Sequence, residues 1–105
     1  MKTIDKVIKE FKSRTKRLYG NKLKNIILYG SWARNEANEH SDIDLLVIIK
    51  KDIKPGEEID RMIDIITEIN LKHNVLISVY PVSEKNYSTL KSPLLMNVRK
   101  EGIVA

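Results

Sequence analysis

At 105 residues, with 42% hydrophobic side chains and no cysteine, the chain is sized for one domain with a modest core, and disulfides and thiolate metal sites are excluded. No apolar run is long enough to span a membrane and the N-terminus is too charged for a signal peptide, so a cytoplasmic protein is expected. The net charge of +5 is uneven: residues 1–25 hold nine Lys/Arg and two Asp/Glu, a net of +7, while residues 26–105 hold ten and twelve, a net of −2.

The basic segment coincides with the first predicted element. Ile4, Val7, Ile8, Phe11 and Leu18 keep helical spacing over residues 3–19, with Lys and Arg opposite and Thr3 placed to cap. Such a face is usually a solvated surface, although it also attracts nucleic acid or an acidic partner. Gly20-Asn21 ends the helix, and Asn25–Tyr29 reads as a first strand.

Gly30-Ser31 follows that strand and opens a polar segment predicted to be a short helix over 31–37. Glycine permits a close backbone approach, serine suits a helix cap, and a helix N-terminus offers N–H groups to phosphate oxygens. A polar loop then leads to a second strand, roughly 42–50, headed by Asp42-Ile43-Asp44. Alternation puts Asp42 and Asp44 on one face with Leu46 and Ile48, and Ile43, Leu45, Val47 and Ile49 on the other. Two adjacent carboxylates repel, so a shared cation or a proton is needed to settle them. Magnesium, a hard cation taking carboxylate and phosphate oxygens, matches that need.

Downstream, Lys54-Pro55-Gly56 signals a turn, and residues 57–72 read as a helix burying Ile59, Met62, Ile63, Ile66 and Ile69 behind an acidic first turn. A third strand covers Val75–Tyr80, with Pro81 expected to close it. Ser83 caps a short helix over 84–90, and Ser92-Pro93 starts a last helix that Gly102 stops. His40 and His73 lack any partner pattern and read as structural, and Trp32, the only tryptophan, is expected to lie partly buried against the sheet. The order implies an α/β (α+β) domain over 1–105, with helices packed on a mixed sheet of three to four strands.

Gly30-Ser31, ten intervening residues, then Asp42-x-Asp44 resembles the nucleotidyltransferase superfamily that includes DNA polymerase beta. Gly30-Ser31-Trp32-Ala33-Arg34 with Ser41-Asp42-Ile43-Asp44-Leu45 is similar, more closely, to the minimal nucleotidyltransferases. Asn35 stands where that motif often has glycine, a mild departure because asparagine tolerates a left-handed backbone.

The resemblance implies transfer of AMP from ATP to a hydroxyl. Asp42 and Asp44 would be the catalytic, magnesium-holding pair, and Gly30, Ser31 and Arg34 the nucleotide-binding set. It also implies a partner, a HEPN-domain toxin bearing an acceptor tyrosine, with the present chain as antitoxin. Many relatives carry a third carboxylate on a later strand; here the short polar residue of that strand is Ser78, with Glu84 the other candidate. That departure keeps a second reading open, a weakly active or inactive module that binds its partner. A nucleic-acid binder using the basic helix is the third reading, membrane association is not expected, and self-association is left open.

Overall fold

Alternation in the second predicted strand decides how the layers form. In the computed structural model, which describes residues 2–105, that strand spans Ile43–Ile49 and is covered on both faces. Ile43, Leu45, Val47 and Ile49 enter one core cluster, and Leu46 and Ile48 enter a second. A near-continuous apolar run is what a strand between two layers requires.

The elements follow as α1 (Lys2–Tyr19), a 3₁₀ turn (Gly20–Lys22), β1 (Leu23–Tyr29), β2 (Ile43–Ile49), α2 (Pro55–His73), β3 (Ile77–Ser83), α3 (Glu84–Thr89), α4 (Pro93–Glu101) and β4 (Ile103–Val104). The sheet order is β3-β2-β1-β4. β1 runs antiparallel to β2 and β4, and β3 runs parallel to β2. The parallel pair needs a crossover, which α2 supplies. This is the mixed α/β sheet expected, with four strands.

α1 and α2 cover one face, where Val7, Phe11, Met62 and Ile69 pack against the odd-numbered residues of β2. α4 covers part of the other through Leu95 and Val98. On α1 the buried line runs Ile4, Val7, Phe11, Thr15, Tyr19, while Leu18 is 43% exposed. Steps of four along the lower half carry the stripe past Leu18. Tyr19 fits inside because its hydroxyl donates to Glu58 Oε1 at 2.7 Å, so neither polar group is buried unsatisfied. On α2 the same drift puts Ile65 inside and leaves Ile63 47% exposed. Thr3 does not cap α1, which already includes Lys2.

Other expectations change as well. Residues 31–37 form no helix: successive turns occupy 30–35, with the Gly30 carbonyl accepting from the amides of Ala33 and Arg34 and the Ser31 carbonyl from that of Glu36. Asn35, at φ 60°, ends the winding after one turn, and one turn lacks the length to sustain a helix. β3 does not stop before Pro81 but runs through it to Ser83. An edge strand tolerates proline because the missing N–H lies on the side without a neighbour.

Ser83 Oγ accepts from the Asn86 amide and Ser92 Oγ from the Leu95 amide, so both expected caps are in place. Gly102 ends α4 where a Cβ would lie 2.5 Å from Ile27 Cγ2, and that close approach lets β4 pair with β1.

Candidate functional site

The end of the sheet where β1 stops and β2 begins gathers the motif residues. Register places Tyr29 opposite Asp44 on one side and Ser78 opposite it on the other, so the three form a row across β1, β2 and β3. Gly30 follows directly, at φ 76°, and a Cβ there would stand 2.2 Å from Asp44 Oδ2. The glycine is therefore doubly required: its backbone is left-handed, and the Asp44 carboxylate occupies the space a side chain would take.

Asp44 is partly buried while Asp42, just ahead of the strand, is exposed. Burial pushes the Asp44 carboxyl above the usual carboxylate range, and the negative charge of Asp42 adds to the shift. The positive charge of Arg34 partly offsets it. Tyr29 is pushed up to about 12, chiefly by burial and then by Asp44 and Tyr80, so its phenol is neutral. The two aspartates thus strain against one another electrostatically, as paired acids on one face should.

Arg34 lies within electrostatic reach of Asp44, but its guanidinium is held by Glu36 (2.6 Å) and Glu101 (3.2 Å). Ser31 is half-buried beside Gly30 at the head of the turn. The turn engages the amides of residues 33–36 internally, so the groups that could meet an oxyanion are the amides ahead of them and the Ser31 hydroxyl. Trp32 is partly buried as expected, packs against the first core cluster, and its indole N–H donates to the Ser41 carbonyl at 3.2 Å. That bond ties the turn after β1 to the loop before β2.

A third carboxylate does not join the pair. Ser78 is exposed beside Asp44, while Glu84 lies past the opposite end of β3, beyond Ser83, which pairs with Ile49. Glu84 instead faces Lys24 at 3.4 Å. Among the described residues, no three His, Cys, Asp or Glu side chains converge as a metal cage. Two mutually repelling carboxylates, one partly buried and one exposed, fit a hard cation that takes its remaining ligands from phosphate oxygens and water. His40 is exposed beside Glu39, and His73 contacts Glu10 at 3.2 Å. Neither reaches the carboxylates. Sequence reasoning passed over Tyr29 and Tyr80. The even–odd pattern of β1 and β3 carried that signal, but using it required the register.

Comparison with known proteins agrees with the fold. The family model described as a nucleotidyltransferase domain matches residues 4–103. The chain is 37% identical over 101 residues to a Methanocaldococcus jannaschii protein named "Putative protein adenylyltransferase MJ0604", covering 95% of each chain. A second protein of that organism, of the same name but numbered MJ0141, is 34% identical, with 95% of this chain and 96% of the relative covered. Among solved structures, one described as "Crystal structure of the toxin-antitoxin with AMP-PNP" superposes with a TM-score of 0.63 at 16% identity. The match covers 90% of this chain and 68% of that one, a likeness of fold.

Proposed function

The chain belongs to the nucleotidyltransferase domain family, and from that premise we propose that it transfers AMP from ATP to a hydroxyl of a protein, a tyrosine on a HEPN-domain toxin that it neutralises. The observation that carries this reading is the contact between Gly30 and Asp44, where a carboxylate rests against a left-handed backbone in the space a Cβ would take. The names of the two relatives support the adenylyl donor and a protein acceptor, and the toxin–antitoxin neighbour supports the kind of partner.

In this reading Asp42 and Asp44 hold magnesium, which when bound supplies positive charge to the triphosphate and neutralises the pair. The remaining work belongs to the chain. Gly30 makes room for the Asp44 carboxylate against the backbone, and the Ser31 hydroxyl and the amides at the head of the turn orient the phosphate oxygens. Arg34, a short distance away, adds positive charge to a site otherwise dominated by acids. Attack by the acceptor oxygen on the α-phosphorus forms one P–O bond and breaks that to pyrophosphate, which leaves with the bonding pair while the hydroxyl proton passes to solvent. The raised Tyr29 phenol stays protonated and lends the site a neutral wall.

Mixing the chain, its partner, ATP and magnesium, then weighing the intact partner, tests the reading. One AMP added with wild type and none with Asp42→Asn is the expected result. A stable complex that gains no nucleotide would move the assignment to a binding module, the second reading that Ser78 in place of an acid favours.

A further inference from the structure

The three residues that the motif left without a role, Trp32, His40 and His73, come together around one cavity of about 460 Å³. His73 is 33 residues from His40 in the chain, and the fold brings it to the segment that holds Trp32 and His40. Ser41, Ile43 and Asn74 complete the part of the lining that matters here. The cavity lies on the α1/α2 side of the sheet, since Ile43 and Trp32 pack with that cluster, whereas Asp44 belongs to the opposite face. The two regions meet around the sheet end. Trp32 comes just after Ser31, Ser41 comes just before Asp42, and the indole-to-carbonyl bond joins those two segments into a shared wall.

We propose that this cavity binds the purine base of the nucleotide, with Trp32 as its stacking platform; the inference rests on the nucleotidyl-transfer reading above and names a subsite for it. The volume falls in the range of small-molecule sites, which are concave, largely apolar and furnished with a few polar groups. The chemistry of the lining suits a flat nitrogen heterocycle. An indole half-packed against the core is already rigid, so a base stacks on it with little ordering cost, a contact worth about 1–3 kcal/mol per base. Imidazoles and the Asn74 amide offer hydrogen-bond donors and acceptors to ring nitrogens and an exocyclic amine. Asn74 presents its amide from a left-handed position (φ 51°) that ends α2, so the backbone there is well defined. His73 is only 15% exposed and is oriented by Glu10 at 3.2 Å. A nucleotide laid across the end of β2 would keep its base and its phosphates on opposite sides of the Ser41–Asp42 link.

A metal centre is the obvious rival for a pocket with two histidines. No group of three ligating side chains gathers there among the described residues, which disfavours it.

Because Trp32 is the only tryptophan, its fluorescence reports the site directly. The test titrates the chain with adenosine, with inorganic tripolyphosphate plus magnesium, and with ATP plus magnesium, following fluorescence and heat. Saturable quenching by adenosine that survives Asp42→Asn is expected, together with tripolyphosphate binding that does not. Thr3→Phe, which fills the cavity from an exposed position on α1, is expected to weaken ATP at least tenfold and to leave tripolyphosphate unchanged. If ATP binds while adenosine neither quenches nor releases heat and Thr3→Phe changes nothing, the pocket assignment is overturned and the transfer reading stands. If adenosine quenches but ATP with magnesium gains nothing over it, the pocket stands as a nucleoside site and the transfer reading falls. Silence from all three ligands overturns both.

Discussion

Replacing Gly30 by alanine separates backbone strain from loss of the carboxylate contact, because the chain contains its own control. Gly20 and Gly30 both have positive φ, +60° and +76°, but a Cβ on Gly20 meets nothing within 4 Å, whereas one on Gly30 meets Asp44 Oδ2 at 2.2 Å. Gly20→Ala should therefore cost only the left-handed penalty, about 1–2 kcal/mol. Gly30→Ala carries the same penalty plus overpacking against the Asp44 side chain near the start of β2, about 1–3 kcal/mol more. The total is about 2–5 kcal/mol, against roughly 5–15 kcal/mol for a whole domain. The methyl would also push the Asp44 carboxyl aside by about an ångström, a misplacement that costs about 100-fold in rate. Urea unfolding of both variants, with AMP transfer or calorimetric Mg·ATP binding alongside, reads out the two effects. Equal stability losses for both variants, with Mg·ATP binding intact in Gly30→Ala, would refute the claim that this glycine exists to admit Asp44.

Other perturbations follow from the same geometry. Ser78→Asp places a third acid in register with Asp44, where the serine is exposed. It should destabilise the metal-free chain by about 0.5–1 kcal/mol through like-charge pairing across strands, and raise magnesium affinity in an isothermal titration; an unchanged affinity would place Ser78 outside the metal's reach. Tyr19→Phe removes the 2.7 Å donor to buried Glu58 and should lower stability by about 1–3 kcal/mol in urea, leaving nucleotide binding unaffected. Glu10 is held below the usual carboxylate range by hydrogen bonds from Lys72 and then His73. A depressed carboxyl stabilises above its ordinary pKa near 4.5 and loses that contribution as pH falls through the lower folded value. Unfolding midpoints measured from neutral pH downward should accordingly converge for wild type and Glu10→Gln in strong acid, with wild type ahead near neutrality.

Much of the fold was legible because its signals are local. The alternation from Asp42 to Ile49 sorted that strand into its two faces, the caps at Ser83 and Ser92 began the helices they should, and Gly30 and Asn35 both occupy left-handed positions. Where reading by period failed, the reason was phase or context. Leu18 and Ile63 sit one or two residues off lines that drift along their helices, so Tyr19 and Ile65 took their places. Pro81 lies inside a strand because that strand is at the edge. The two-residue β4 carries no pattern of its own and exists only because Gly102 lets it approach β1.

The amino-acid order alone determined the candidate motif: a glycine and serine followed at a set distance by two aspartates on one strand face is a property of spacing, and alternation makes it readable without coordinates. Tertiary structure decided what surrounds that pair. It placed Tyr29 and Ser78 on either side of Asp44, sent Glu84 to the wrong end of β3, engaged Arg34 with Glu36 and Glu101, and closed Trp32, His40 and His73 around a common cavity. Apart from the local Arg34–Glu36 pair and the short span from Trp32 to His40, those are contacts between segments remote in the chain, set by strand register and helix packing, and no local periodicity encodes them.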